Sequence, residues 1–297
     1  MATITGGQVT LRVTEDCVSC GRCVSVCPCE YLALEGGHVV EALRPALGCI
    51  SCGQCAAVCP QDAIRVTSAA FPSEDIVPFP GSRPASDVEF LRLISGRRSI
   101  RHFTEEEVPS DAKDRILEAA QQAPVGIPPS DVRVTVLEGR AAVRTFFRGF
   151  IAEIERSAWM FSPWGVRLLR LVMSSRNHRE LREGAPLVRG ILSEARQKKD
   201  VLFYDPPLVF VFTSASGEHD PAIAATYAML AAEGLGLGSC LIGTLVPLLS
   251  LTRREFREEN GIPVDSSHGI ALSVGVPKFH FYRAVRRRFA GISGGRG

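Results

Sequence analysis

Nine of the ten cysteines in this 297-residue chain fall between positions 17 and 59. Eight of them form two copies of one pattern, Cys17-x-x-Cys20-x-x-Cys23-x-x-x-Cys27-Pro28 and Cys49-x-x-Cys52-x-x-Cys55-x-x-x-Cys59-Pro60. Thiolates at this spacing are the ligand run of bacterial iron–sulfur clusters. Three cysteines at i, i+3 and i+6 wrap one cubane through a tight loop, and the fourth, ahead of proline, ligates the other cluster. That rule assigns Cys17, Cys20, Cys23 and Cys59 to one [4Fe–4S] cluster, and Cys49, Cys52, Cys55 and Cys27 to a second. Structural zinc is the alternative for four thiolates, but zinc usually takes two separated C-x-x-C pairs rather than triplets. Cys29 is left over and reads as a packed free thiol.

The elements that must hold these thiols are short. Residues 1–68 form an internal repeat with a strand-like start at Val9 to Val13. An apolar tail, Tyr31-Leu32-Ala33-Leu34, follows the first run, and Ala63-Ile64-Arg65-Val66 follows the second. A segment this small has too little apolar surface to fold firmly alone, so bound metal must supply much of its stability. Residues 69–86 are rich in proline and small residues and read as a linker. Ser86-x-x-Glu89 is a capping box that opens a helix and, with it, a second domain over 87–290.

Within that domain, Ser110 and Asp111 open a helix that stops before Pro124, and Val125 to Ser130 must be a loop. Val132 to Leu137 alternates like a strand, Leu208 to Phe212 is a buried strand, and so is Gly269 to Val276. Asp220-Pro221 reads as an N-cap followed by proline at the first helical position, and Thr252-x-x-Glu255 as a cap for a short helix. Residues 140–200 are helical, with an aromatic knot at Trp159-Met160-Phe161-Ser162-Pro163-Trp164 that reads as core, subunit packing or a lid over an apolar pocket. An amphipathic membrane contact asks for a cleaner basic face than this segment displays.

Composition narrows the field. The 34 basic and 32 acidic side chains leave a formal charge of +2, and only Arg286-Arg287-Arg288 forms a basic block, so nucleic-acid binding has no support. Residues 1–13 lack a basic stretch followed by an apolar run, so no signal peptide is expected. The uncharged window Gly234 to Thr252 is broken by glycines and Pro247 and reads as core rather than a membrane span. Cysteines at cluster spacing point to a reducing, cytoplasmic setting.

Arg97-Arg98-Ser99-Ile100-Arg101 could grip a phosphate, because guanidinium forks donate bidentate hydrogen bonds and the hydroxyl adds another. Gly234-Leu235-Gly236-Leu237-Gly238-Ser239-Cys240 is not a dinucleotide fingerprint and follows a helix, so a Rossmann site is rejected there. Together, Arg97-Arg98-Ser99-Ile100-Arg101, Ala123-Pro124-x-Gly126, the glycine string through Ile242-Gly243, and Gly275-x-Pro277 followed by arginines resemble, in order, the motifs of the FMN-dependent nitroreductase family. The resemblance implies an α+β fold: a three-layer domain with a central, mostly antiparallel sheet flanked by helices, behind a small ferredoxin-like (βαβ-type) domain. It implies that Arg97, Arg98, Ser99 and Arg101 contact the FMN phosphate and ribityl chain, with Arg287 and Arg288 as C-terminal phosphate ligands. It implies that Pro124, Val125 and Gly126 reach the flavin from a partner subunit, giving a homodimer with FMN at the interface. Leu241, Ile242 and Gly243 then face the isoalloxazine. Where many members have Ser-x-x-Asn-x-Gln-Pro-Trp, this chain has Val125-Gly126-Ile127-Pro128-Pro129-Ser130-Asp131-Val132, so the usual side-chain amides are missing.

The function implied is an oxidoreductase passing electrons from two [4Fe–4S] clusters to FMN and on to a small organic acceptor: a nitroaromatic, quinone, activated alkene or halogenated compound. Ferredoxin, another redox protein or NAD(P)H is the donor. The alternative is an electron-transfer or redox-sensing protein without its own organic substrate. No side chain is assigned a catalytic role, since the flavin carries such chemistry. The ligand assignment predicts about eight iron and eight labile sulfide per chain in protein purified without oxygen, measured by colorimetric iron and sulfide assay.

Overall fold

The computed structural model describes all residues except 1–8, 44, 46, 47, 69–71, 79–84, 127–129, 286, 287, 292 and 294–297. The chain divides into two compact units, one of residues 1–84 with Val125–Ser130 and one of Ala85–Pro124 with Asp131–Gly297. Much of the expected linker, the centre of the 125–130 loop, and Arg286 and Arg287 lie outside the described residues.

The first unit runs β1 (Val9–Val13), α1 (Arg22–Ser25), β2 (Leu32–Glu35), β3 (His38–Glu41), α2 (Gln54–Ala57) and β4 (Ile64–Ser68). β1 pairs antiparallel with β4, Val9 opposite Ser68 and Val13 opposite Ile64. β2 and β3 form a hairpin closed by Gly36-Gly37. Both glycines have positive φ, +55° and +81°, the conformation that a tight two-residue hairpin of matching twist requires. The cluster of buried apolar residues is small, namely Val9, Leu32, Val39, Ala56, Ile64 and Val66 with Cys23, and Ala63 and Cys29 are buried besides. A core of this size agrees with a unit that folds around something other than hydrocarbon.

The second unit contains α3 (Asp87–Gly96), α4 (Ser110–Gln121), β5 (Arg133–Glu138), α5 (Arg140–Arg156), α6 (Pro163–Leu169) and α7 (Ser175–Arg196). It continues with β6 (Leu208–Ser214), α8 (Asp220–Gly234), β7 (Gly238–Ile242), α9 (Leu245–Leu249), α10 (Arg254–Glu259) and β8 (His268–Gly275). The sheet order is β5-β6-β8-β7, and every pairing is antiparallel. β6 is buried at all of its positions, which explains its continuous apolar run. Val209, Val211, Ala271 and Ile242 face a layer made by Phe146, Phe150 and Ile154 of α5 and Val188 and Ile191 of α7. Leu208, Phe210, Phe212, Leu272 and Val274 face the opposite layer, with Ile116 of α4 and the alanines of α8. Each buried phenylalanine contributes roughly 1.5–3 kcal/mol. This is the three-layer α+β arrangement expected.

Several local signals differ from expectation. The Ser86–Glu89 capping box forms in full. Asp220, however, is already inside α8, whose cap position is His219, and Pro221 therefore sits one place further in. Thr252 does not cap α10; its hydroxyl donates to the Leu249 carbonyl at 2.7 Å and closes the end of α9 instead. The aromatic knot splits: Phe161 is buried, whereas Trp159 and Trp164 stack on each other at 5.8 Å and stay exposed. No helix among the described residues is long and apolar enough to cross a membrane.

Asp131 ties the entry of β5 to the exit of β6. Its carboxylate accepts from the Ser214 hydroxyl at 2.5 Å, from the Ala215 and Ser216 N–H groups at 3.1 and 2.9 Å, and from the Ser216 hydroxyl at 2.9 Å. These donors, Ser214 first, hold its pKa down to about 2. Because the folded value lies below the unfolded one, the stabilisation is present above about pH 4 and is lost as pH falls towards about 2. Asp131→Asn is expected to cost about 1 kcal/mol at neutral pH and to flatten the acid limb over that window, measured by urea unfolding as a function of pH.

Candidate functional site

Two cavities in the first unit are bordered by thiols. Cys17, Cys20, Cys23 and Cys59 line one, with Pro60 and Ile64. Cys27, Cys49, Cys52 and Cys55 line the other, and buried Cys29 joins them. The chain reaches this grouping by repeating one backbone course. Ser19, Gly21 and Glu30 have positive φ, and so do Ser51, Gly53 and Asp62 at the same offset in the second run. Left-handed residues alternating with ordinary ones curl the backbone around a centre, and such curls direct N–H groups inward. Three N–H groups do reach sulfur: Tyr31 to Cys27 and Ala63 to Cys59, both at 3.3 Å, and Ser51 to Cys49 at 3.4 Å. Hydrogen bonds of this kind tune the potential of a thiolate-bound cluster.

Among the described residues no three His, Cys, Asp or Glu side chains are placed to hold a single metal ion. Burial pushes the Cys23, Cys29 and Cys49 thiols up, and takes Cys55 up to about 11, with neighbouring sulfurs adding to the shift. Ionising such a set needs positive charge inside the cavity. Soft donors, four around one void and five around the other, fit a multi-iron core.

In the second unit three of the sequence motifs meet at the edge of the sheet. Ser99 bridges to Ser239 in parallel, and the Ile100 N–H donates to the Ser239 carbonyl at 2.9 Å. A Cβ on Gly238 would come within 2.7 Å of the Ile100 side chain, so only glycine lets this segment lie against β7. Further on, Phe103 bridges to Pro277, Thr104 donates to the Val276 carbonyl, and Lys278 donates to the His102 carbonyl. Residues 97–104 thus run from the start of β7 to the end of β8. A cleft of about 380 Å³ opens here, bordered by Arg98, Glu233, Gly236, Pro277 and His280.

The guanidinium of Arg101 lies 5.5 Å from the centre of the Tyr204 ring. Burial raises the Cys240 thiol, while Arg101 and Arg97 pull it the other way. Glu233 is likewise raised by burial and lowered by Arg97. Ser239 Oγ and Ser273 Oγ are buried without a hydrogen-bond partner among the described residues. A Cβ on Gly243 would meet nothing within 4 Å, so the backbone after β7 faces open space beside partly buried Leu241 and buried Ile242. Arg97 and Arg101 beside Cys240, with open backbone after β7, fit a ligand with a phosphate and a flat ring, whereas Arg98 borders the cleft with Ile100.

Not every predicted residue joins this group. Pro124 and Gly126 are exposed, and Val125 and Gly126 belong to the first compact unit. Arg288 is exposed on the tail, and Arg287 lies outside the described residues. Tyr204 and Glu233 carried no sequence signal. Tyr204 owes its place to a turn in which it and Asp205 both have positive φ. Asp200 holds that turn by accepting the N–H groups of Leu202, Phe203 and Asp205 at 2.8–3.0 Å.

An antiparallel sheet between two helical layers, in one chain with a doubled cysteine domain, defines a two-domain redox protein. Residues 94–276, more than half the chain, match the nitroreductase family, and the chain belongs to that family. Residues 16–64 match a 4Fe-4S dicluster domain. Among solved structures, a nitroreductase with bound FMN from Bacteroides fragilis aligns with a TM-score of 0.50 at 19% identity, over 71% of this chain and all of that one. An FMN-dependent nitroreductase from Clostridium difficile aligns at 0.48 and 21%, over 70% of this chain and all of that one. A nitroreductase with bound FMN from Desulfitobacterium hafniense aligns at 0.49 and 20%, over 70% of this chain and 98% of that one. A search of curated proteins gave no match.

Ser51 is buried with φ +57°, inside the Cys49–Cys52 loop. Ser51→Gly removes the strain of a left-handed side chain and is expected to keep full iron content. Ser51→Val adds a β-branch where the backbone least accepts one, at about 1–3 kcal/mol, and is expected to lower iron retention during anaerobic gel filtration.

Proposed function

We propose that this chain is an oxidoreductase that passes electrons from two [4Fe–4S] clusters to FMN and on to a small organic acceptor. The observation that carries this reading is the convergence of residues 97–104, β7 and the end of β8 on one sheet edge, in a chain that also carries two thiol-lined cavities. FMN, when bound, supplies a ring that takes electrons singly and delivers them in pairs.

The residues divide the work. Cys17, Cys20, Cys23 and Cys59 hold one cluster, and Cys49, Cys52, Cys55 and Cys27 the other. Arg97, Arg98, Ser99 and Arg101 neutralise and orient the phosphate and ribityl chain, joined by Arg287 and Arg288 from the tail. Leu241, Ile242 and Gly243 present backbone to the ring, where a fixed N–H sets the ease of reduction. Pro124, Val125 and Gly126 complete the site of a second copy in a homodimer. Two unpartnered apolar surfaces support that assembly: Val88, Phe90 and Leu91 on α3, and Phe281, Tyr282 and Phe289 on the tail. The donor is a ferredoxin-type protein or NAD(P)H, and the acceptor is a nitroaromatic, quinone, activated alkene or halogenated compound. The setting is cytoplasmic.

A second reading, a relay or redox sensor without its own organic substrate, is favoured by the open backbone at Gly243 and by tryptophans that do not close over a pocket. Anaerobic reduction followed by a screen of acceptors separates the two. Rapid reoxidation by one acceptor class supports the enzyme, and reoxidation by protein partners alone supports the relay.

Arg97→Ala with Ser99→Ala is expected to weaken FMN binding by at least about tenfold, since each charge-assisted hydrogen bond contributes roughly 1.5–3 kcal/mol. Gly238→Ala, which pushes Ile100 off β7, is expected to weaken it too while leaving iron content unchanged. Flavin fluorescence titration measures both, and undiminished affinity in the double variant would sink the phosphate assignment.

A further inference from the structure

The stretch from Arg156 to Arg179 holds five arginines and no aspartate or glutamate, in a chain whose charges otherwise nearly cancel. The structure folds it into a hairpin of α6 and the start of α7. Gly165 fits so closely under the Trp159 carbonyl that a Cβ would lie 2.0 Å from it, and the His178 ring nitrogen meets the Val166 carbonyl at 3.0 Å. The hairpin is therefore built, not loose. Its outer face is apolar: Trp164 and Leu168 on α6 and Leu171 and Val172 in the turn that follows are 61%, 50%, 80% and 79% exposed, with Trp159 stacked on Trp164. Beside this face Arg170, Arg179, Arg182 and His178 border a second cleft of about 380 Å³. Among the described residues Arg167, Arg170 and Arg179 have no acidic side chain within ion-pair distance.

We propose that this hairpin docks the protein on an anionic lipid surface; the basic face that the linear sequence lacks is assembled by the fold, which brings Arg170 together with Arg179 and Arg182 of α7. The apolar residues enter the boundary between headgroups and acyl chains, and the arginines meet lipid phosphates, with the cleft sized for a headgroup. Exposed tryptophan and leucine next to unpaired arginine is the composition of an interfacial helix. Charge complementarity decides against a second copy as the occupant. A twofold contact sets the same patch against itself, and here that would oppose Arg167, Arg170 and Arg179, while the nearby carboxylates of Glu180 and Glu183 are already paired with Arg176 and Arg182. A purely apolar partner would leave the same arginines uncompensated. An anionic membrane surface satisfies both halves of the patch at once.

Both tryptophans of the chain lie in this hairpin, so intrinsic fluorescence reports on it alone. Iron- and flavin-loaded protein is mixed with vesicles of phosphatidylcholine, or of phosphatidylcholine with phosphatidylglycerol. The expected result is co-sedimentation with the mixed vesicles, reversed by salt, with blue-shifted tryptophan emission that brominated acyl chains quench. Arg167→Gln, Arg170→Gln and Arg179→Gln together are expected to weaken partition about a hundredfold, at roughly fivefold per arginine. Leu171→Asp with Val172→Asp is expected to abolish the quenching. All these sites are exposed, and unchanged iron and flavin content shows that the variants fold. Equal partition to both vesicle types, or none, overturns the proposal. It is also overturned if acrylamide cannot reach the tryptophans in solution and gains access only as the protein dissociates on dilution, since a second copy then covers the face.

Discussion

Everything in the second unit leans on the pairing of β6 with β8. β6 is buried along its whole length and β8 over its last five residues, and the two are matched from Leu208 opposite Val274 to Ser214 opposite His268. A shift of one residue would turn Phe210 and Phe212 from the α4–α8 layer into the α5–α7 layer, so both helical layers fix the register. Register in turn fixes where β8 ends. Gly275 lies opposite Gly238, and Val276 and Pro277 then meet Thr104 and Phe103. The sheet edge that gathers the arginines is thus placed by apolar packing elsewhere, and the polar residues there need supply little of their own positioning.

The first unit solves the opposite problem. With only a handful of buried aliphatic residues, it spends its backbone on curling around two thiol-lined spaces. Strained positions recur in both halves at Ser19 and Ser51, where glycine would cost nothing sterically. Side chains kept at such φ values persist only where the surroundings over-determine them. Buried thiols without a cation are poor anions, as the raised Cys55 shows. Stability and ligand chemistry are therefore one quantity in this unit, whereas in the other they are separable.

Legibility followed the range of the physical signal. The Cys-Pro runs are local and each ligand type is named by its residue, so eight thiols are paired from spacing alone, while the place of Cys29 beside the second cavity depends on the fold. The continuous apolar run at 208–212 and the Ser86–Glu89 box are equally local, and both were readable. Thr252 failed because two short helices compete for one hydroxyl: the capping pattern before α10 is present, but the end of α9 takes the bond. Asp220 missed its cap by one residue, within the uncertainty of any helix start. The tryptophans failed for another reason. An aromatic cluster is written the same way whether it packs inward, as Phe161 does, or outward, as Trp164 does, and only the direction of α6 decides. Tyr204 was invisible because a turn held by Asp200, not a motif, brings it to Arg101.

β7 is the last strand of its sheet, and a last strand offers unpaired N–H and carbonyl groups to any other extended chain. Here that opening is covered by the chain itself, since Ser99 and Ile100 lie along the start of β7. The backbone that carries the arginine cluster is therefore also the guard of an exposed edge. Loosening it would leave a short apolar strand free to recruit a neighbour. Residues 97–101 thus protect a strand edge whatever ligand they hold, and Gly238 is the position that lets them lie there.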